Sequence, residues 1–236
     1  MSLTLLLACS ASDGQLYAMS AEADSLERAS AYCSDIRSQG LRAECLGQLG
    51  REHPDDLDIE AHCASIDDPQ WRDECTFLLA EERWDAQRAD DAIGLCKQAG
   101  RYLGQCFMHL WADHAAGLKR EKSPEEAIAG FEEALTWPAE HLDEDLERRG
   151  WGLYFRTEVG TVDLTHCSGE KARLCRAGLR EAITRAINRH AARGGSLPCA
   201  AKDAEARAEA LKPLIAYVPT PSLDTWVQSA LGQHCS

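Results

Sequence analysis

Aromatic side chains and cations are both scarce in this 236-residue sequence: aromatics make up 6%, and 25 Lys and Arg face 39 Asp and Glu. Few aromatics beside abundant alanine, leucine and charged residues favour helix over sheet. The formal net charge of −14 repels phosphate backbones and argues against nucleic acid as a partner. No C-x-x-C or C-x4-C occurs, which removes the close ligand spacings of zinc ribbons and of dithiol redox motifs. P-loop, G-x-G-x-x-G, G-x-S-x-G, HExxH and EF-hand patterns are missing too, so neither catalysis nor a cofactor is expected. No stretch is long enough to span a bilayer as a helix. With 44% hydrophobic and 27% charged residues the composition is globular, and the length suffices for one domain or two small ones.

What the sequence has in quantity is cysteine. There are eleven, at 9, 33, 45, 63, 75, 96, 106, 167, 175, 199 and 235, too many for an ordinary cytosolic protein and fitting for an oxidising compartment. After Cys9 they fall into neighbours: Cys33 with Cys45, Cys63 with Cys75, Cys96 with Cys106, Cys167 with Cys175, and Cys199 with Cys235. Nearest-neighbour pairing is the expected connectivity, though order alone leaves others open. Cys9 is left over. It ends Leu5-Leu6-Leu7-Ala8-Cys9, before Ser10, which resembles a bacterial lipobox. That resemblance implies lipidation at Cys9, membrane tethering through the lipid, and a place in the cell envelope as a periplasmic or outer-surface lipoprotein, with simple secretion as the alternative. The other reading is an apolar tail carrying a free thiol.

The cysteine pairs repeat. Cys33-Ser-Asp-Ile36 through Leu41-Arg42-Ala-Glu44-Cys45 matches Cys63-Ala-Ser-Ile66 through Trp71-Arg72-Asp-Glu74-Cys75 in spacing, in the Ile, and in the large residue, Arg and Glu before the second Cys. A third copy, Cys96 to Cys106, is two residues shorter and keeps Tyr102 and Gln105 at those places. Leu49, Leu79 and Leu110 each follow the second Cys by four residues. Ser38-Gln39-Gly40, Asp67-Asp68-Pro69 and Gly100 break the chain inside the pairs, so each pair should straddle a helix–helix turn. A competing arrangement, with both cysteines of a pair on one helix, is opposed by those breakers. The period of 30 to 33 residues is that of helical-hairpin solenoids. The expected fold is all-α: a right-handed α-solenoid-like array of helical hairpins stapled by disulfides.

Ser123-Pro124-Glu125-Glu126 is a capping box with Pro at the first helical position. The helix after it carries Ala127, Phe131 and Ala134, and the preceding segment carries Trp111 and Ala115. Residues 108–138 thereby resemble a tetratricopeptide (TPR) repeat, with those five at its packing positions. The Cys167–Cys175 unit resembles the stapled hairpins of cysteine-rich Sel1-like proteins. Both resemblances imply a concave helical surface that binds proteins or peptides without catalysis. Residues 139–160, 170–192, 200–211 and 223–233 read as further helices, the third ended by Lys212-Pro213. The organisation expected is a tail or trimmed signal over 1–20, a TPR-like region over 21–160, and a C-terminal helical region over 161–236 with two more stapled hairpins.

Several side-chain groupings could carry chemistry. Ser168-Gly-Glu-Lys171 fits S-x-x-K without the partner motifs that would make it a nucleophile. His62, Cys63 and Cys75, or Cys106, His109 and His114, could ligate a metal only as free thiolates, which paired cysteines do not supply. Adjacent acids (Asp55-Asp56, Asp67-Asp68, Asp90-Asp91, Asp143-Glu144-Asp145) suit solvated helix starts. Lys171, Arg173, Arg176, Arg180, Arg185, Arg189 and Arg193 form a cationic stripe opposed only by Glu170 and Glu181, over an apolar face of Leu179, Ile183, Ala186 and Ile187. Such a stripe could dock the chain's own acids, a partner protein or an anionic membrane. The functional expectation is a binding scaffold with a protein or peptide partner, not an enzyme. A metal- or redox-linked Cys/His module and an enzyme with an unrecognised site are the alternatives. A groove lined by exposed aromatics such as Trp111 or Trp84 is what a scaffold would show.

Overall fold

The computed structural model describes residues 11–53, 58–156, 164–167 and 172–235. Among them twelve α-helices and no strand occur, as the composition predicts. All five neighbouring cysteine pairs are disulfide-bonded: Cys33–Cys45, Cys63–Cys75, Cys96–Cys106, Cys167–Cys175 and Cys199–Cys235. The chain divides into two compact units, residues 1–107 and 108–236.

In unit 1, α1 (Asp13–Ala21) precedes three hairpins built on the repeat: α2 (Leu26–Asp35) with α3 (Gln39–Glu52), α4 (Asp58–Ala64) with α5 (Pro69–Asp85), and α6 (Ala89–Gln98) with the start of α7 (Leu103–Glu121). Each bridge joins the last turn of one helix to the opening turns of the next, so it pins the hairpin neck as the breakers predict. The repeated residues have distinct tasks. Ile36 and Ile66 are fully buried, and their carbonyls are capped from six residues on. Arg42 donates to Ile36 O through Nε and Nη2 at 2.8 and 2.6 Å, and Arg72 Nη1 donates to Ile66 O at 3.3 Å. The shorter third copy has no such arginine. There a 3₁₀ turn over Gly100–Tyr102 places the Tyr102 N–H on Ala99 O at 2.9 Å.

A second device links successive necks. The Asp13 carboxylate accepts the Arg37 and Ser38 N–H groups, which together hold its pKa below the usual carboxylate range. Gln39 Oε1 accepts Asp68 N–H at 2.9 Å, and Asp73 Oδ2 accepts Arg101 N–H at 3.0 Å. Each neck therefore borrows a side-chain acceptor from the element before it. α3 packs on α5 and α2 on α4, so the first two hairpins stack helix for helix, with Leu49 and Leu79 buried. Gly50 permits this closeness, since a Cβ there would lie 2.2 Å from the Leu79 side chain.

Unit 2 begins within α7 and continues through α8 (Pro124–Ala134), α9 (Glu144–Arg156), α10 (Ala172–Ala192), α11 (Ala204–Leu211) and α12 (Pro221–Leu231). The capping box forms: Ser123 and Glu126 exchange side-chain-to-backbone bonds at 3.3 and 3.0 Å. Trp111, Ala115, Ala127, Phe131 and Ala134 are all fully buried. The Trp111 indole donates to Ala134 O at 2.9 Å and meets Phe131 edge-on. Trp151, Tyr154 and Phe155 extend that aromatic cluster from α9.

Two helices start later than the sequence suggests. The segment from 139 is a 3₁₀ turn over Ala139–His141, and α9 begins only at Glu144, because the Asp143 carboxylate accepts the Leu146 N–H at 2.7 Å and acts as its cap. Likewise α11 begins at Ala204 under an Asp203 cap, not at 200.

α9 and α10 meet backbone to backbone at Gly152 and Gly178. A Cβ on Gly178 would fall 2.6 Å from Gly152 N and 2.8 Å from Arg148 O. Those are main-chain atoms that cannot swing aside. Gly178→Ala is therefore expected to cost about 3 kcal/mol or more, the upper end for overpacking, read as a lower denaturant midpoint at unchanged slope. A midpoint equal to the parent's would show that the pair can slide apart freely.

Candidate functional site

The close α9–α10 pair and α12 enclose an open groove of about 730 Å³ in unit 2. Its lining follows from helix periodicity. On α10, Leu179, Ala182, Ile183 and Ile187 turn into the core, with Ala186 half-buried beside them. The turn-spaced Arg176, Arg180 and Thr184 then face the groove with Glu181 and Arg185. Arg148 enters from α9, and Trp226, Ser229 and Gln233 come from α12 and its end.

The electrostatics are lopsided. Glu181 is the single carboxylate in the lining, and it is shared between Arg148 and Arg185. Arg176 and Arg180 are exposed and form no ion pair among the described residues. Arg185 also belongs to a second cluster on the same helix pair. Burial first, and then the guanidiniums of Arg185, Arg189 and Arg149, lower the Arg156 pKa, while Arg156 Nε donates to Gly152 O at 3.0 Å. The excess of acids over bases lies mostly in the other unit. Residues 1–107 carry 20 Asp and Glu against 9 Lys and Arg, whereas 108–236 carry 19 against 16. The groove is a cationic island in the less acidic unit.

The cationic stripe read from the sequence is thus brought together only in part. Arg176, Arg180 and Arg185 share the groove; Arg173 is paired with Glu144 at 2.5 Å; Arg189 faces the Arg156 cluster; and exposed Arg193 follows the end of α10. Lys171 lies outside the described residues, as do Cys9, Glu170 and the Ser168 of the S-x-x-K match. Sequence reading missed Arg148, Arg149, Arg156 and Trp226. An Arg148-Arg149 doublet with Arg156 two turns on was visible, but nothing local says that Trp226 comes to face α10.

Two expectations are corrected. Trp111 lines no groove, because it is sealed between α7 and α8 as a core side chain. Trp84 is half-buried on α5 and borders neither groove described here. The cysteines proposed as metal ligands are all in bridges, the His114 ring rests on Trp137 at 4.9 Å, and burial lowers its pKa. Among the described residues no three His, Cys, Asp or Glu side chains are placed to hold a metal ion, and no helix is long and apolar enough to cross a membrane. Asp68 caps α5, Asp90 and Asp91 occupy the first turn of α6, and Asp145 pairs with Arg148 at 2.6 Å.

Comparison with protein-family models, with curated proteins and with solved structures finds no match to this chain. The case for function therefore rests on its own geometry.

Proposed function

We propose that this chain is an exported, lipid-anchored binding scaffold, a right-handed α-solenoid-like, TPR- and Sel1-like array of stapled hairpins, and that unit 2 receives an acidic segment of a protein or peptide partner. Five disulfides support an oxidising compartment, and Cys9 is the lipidated residue on this reading. The observation that carries the binding role is the pair of uncommitted guanidiniums, Arg176 and Arg180, beside Trp226 in an open groove of a chain with net charge −14. Guanidiniums grip carboxylates bidentately and the indole takes an adjoining apolar side chain. Neither group exchanges a proton or attacks carbon near neutral pH, which supports recognition over catalysis on this reading.

The test is the affinity of a dye-labelled peptide of alternating Glu and Leu for the oxidised full chain, by fluorescence anisotropy. Arg176→Glu with Arg180→Glu is expected to weaken it at least ~10-fold, through lost pairing and added repulsion. Raising salt from low to physiological strength should also weaken the parent complex. Equal affinity in parent and variant sinks the proposal, as does equal binding of a Lys-Leu peptide.

A further inference from the structure

A second groove, of about 670 Å³, lies wholly in unit 1 and has the opposite character. It forms where α3 packs on α5 beside the first two hairpin necks. Leu41, Leu78 and the Trp71 indole supply apolar wall, and Glu44 and Glu74 supply two carboxylates. These are the repeat's own positions: Leu41 and Trp71 are the large residue, Glu44 and Glu74 the acid before the second Cys. Stacking two copies brings both acids to one groove. Gly40 seats the indole, since a Cβ there would lie 3.1 Å from the Trp71 ring.

No cation lines the groove, for a structural reason. The repeat places an arginine beside each large residue, but Arg42 and Arg72 direct their guanidiniums to the carbonyls of Ile36 and Ile66. Neither Glu44 nor Glu74 forms an ion pair among the described residues. Glu74 is instead held by a phenol, with Tyr102 OH donating to it at 3.4 Å. Near Glu44, Tyr17 OH donates to Gln48 Oε1 at 2.8 Å, and its pKa is raised first by burial and then by Glu44. The other side-chain oxygens of the lining, Ser38 Oγ and Gln39 Oε1, already accept the Leu41 and Asp68 N–H groups, and two carboxylates alone make a poor cage for a hard metal ion. Two carboxylates beside an indole face suit a planar cation that stacks and donates hydrogen bonds in its plane.

We propose that this groove is a docking site for an arginine side chain of a partner's peptide segment, with the guanidinium on the Trp71 indole and its N–H donors on Glu44 and Glu74. The charge of the unit favours such a partner, since its 20 acids outnumber its 9 bases. This site is independent of the arginine groove and takes the opposite charge, so either can fail alone.

The experiment is anisotropy titration of a rhodamine-labelled tetra-arginine peptide against the oxidised full chain, with choline and a tetra-lysine peptide as competitors. Trp71→Leu is expected to weaken binding about 5-fold, the scale of a cation–π contact, and Glu44→Gln with Glu74→Gln at least ~10-fold. Glu121→Gln with Glu125→Gln removes the same charge from exposed positions of unit 2 and is expected to leave affinity unchanged. Tetra-lysine and choline should compete more weakly than unlabelled tetra-arginine. Equal weakening by the Glu121/Glu125 control would reduce the effect to bulk charge and overturn the proposal. So would unchanged affinity in Trp71→Leu, or choline competing as well as the arginine peptide. Far-UV spectra and melting of each variant separate lost binding from lost fold.

Discussion

Reducing all five disulfides is expected to abolish cooperative unfolding in both units. The loops they close never overlap along the chain, so the chain-entropy contributions are close to independent. Spans of 8 to 12 residues are each worth about 2.5 to 2.8 kcal/mol and the span of 36 about 3.8 kcal/mol. Together they are on the order of 15 kcal/mol, at the upper end of the net stability of ordinary domains. Reduced, unit 1 has to stand on hairpin cores thin in aromatics and on necks that depend on single side-chain acceptors, while unit 2 keeps its aromatic cluster but loses both of its staples. Calorimetry with and without a non-thiol reductant reads the result, with helicity followed at 222 nm. The sizes also predict an order: Cys199→Ser with Cys235→Ser should cost more than Cys167→Ser with Cys175→Ser. A reduced protein melting within about 5 °C of the oxidised one would mean that packing alone specifies the hairpins.

The second large effect is expected at Arg207. This side chain and Asp224 are about nine-tenths buried and form a fork-to-fork pair, Nε to Oδ1 at 2.8 Å and Nη2 to Oδ2 at 2.6 Å, joining α11 to α12. Arg207 Nη1 also donates to Ala201 O, and Gln228 Nε2 to Asp224 Oδ2. Arg207→Met strands a buried carboxylate and should cost about 3–5 kcal/mol, whereas Arg207→Met with Asp224→Leu should recover most of that loss. The hydrogen bonds from Arg207 are the main reason the Asp224 pKa is lowered, against the opposing pull of burial. A depressed folded-state value means this stabilisation is complete above the ordinary Asp pKa of about 3.9 and is lost as pH falls through the lowered one. Parent protein should therefore lose stability below about pH 4, and Arg207→Met should lose less over the same range. Urea midpoints from pH 7 to pH 2 measure both, and parallel curves would remove Asp224 from the acid response.

The parts of the fold that could be read from sequence are those whose cause is local. Spacing and breakers placed the necks, because a disulfide across a turn needs only the turn and two nearby helix ends. The Ser123 box is local in the same way, and the burial of Phe131 and Ala134 is what the TPR resemblance implies. What escaped depends on contacts distant along the chain. Arg207 meets Asp224 across 17 residues, and Gly152 meets Gly178 across an intervening segment, with no periodic sign of either. The late start of α9 escaped because the acids at 143–145 read as a solvated helix-start run inside a helix already begun at 139, with no local sign that the Asp143 carboxylate is the cap. The arginine stripe was legible as composition, but its division into a groove, an ion pair and a second cluster was not. That division needs the α9 and α12 side chains that face it. Trp111 carried two readings, TPR packing residue and groove wall, because a Trp in a helical repeat serves equally as either, and only the partner helix decides for packing.

The side-chain acceptors that link successive necks in unit 1 give the array a direction. Asp13 serves the neck at Arg37 and Ser38, Gln39 the one at Asp68, and Asp73 the one at Arg101. In every case the acceptor is supplied upstream and the donor downstream. A chain made from its N-terminus therefore always has the acceptor in hand before the neck that needs it. Deletions differ for the same reason: trimming from the front removes the acceptor of the next neck, whereas trimming whole hairpins from the back leaves every remaining neck with its acceptor.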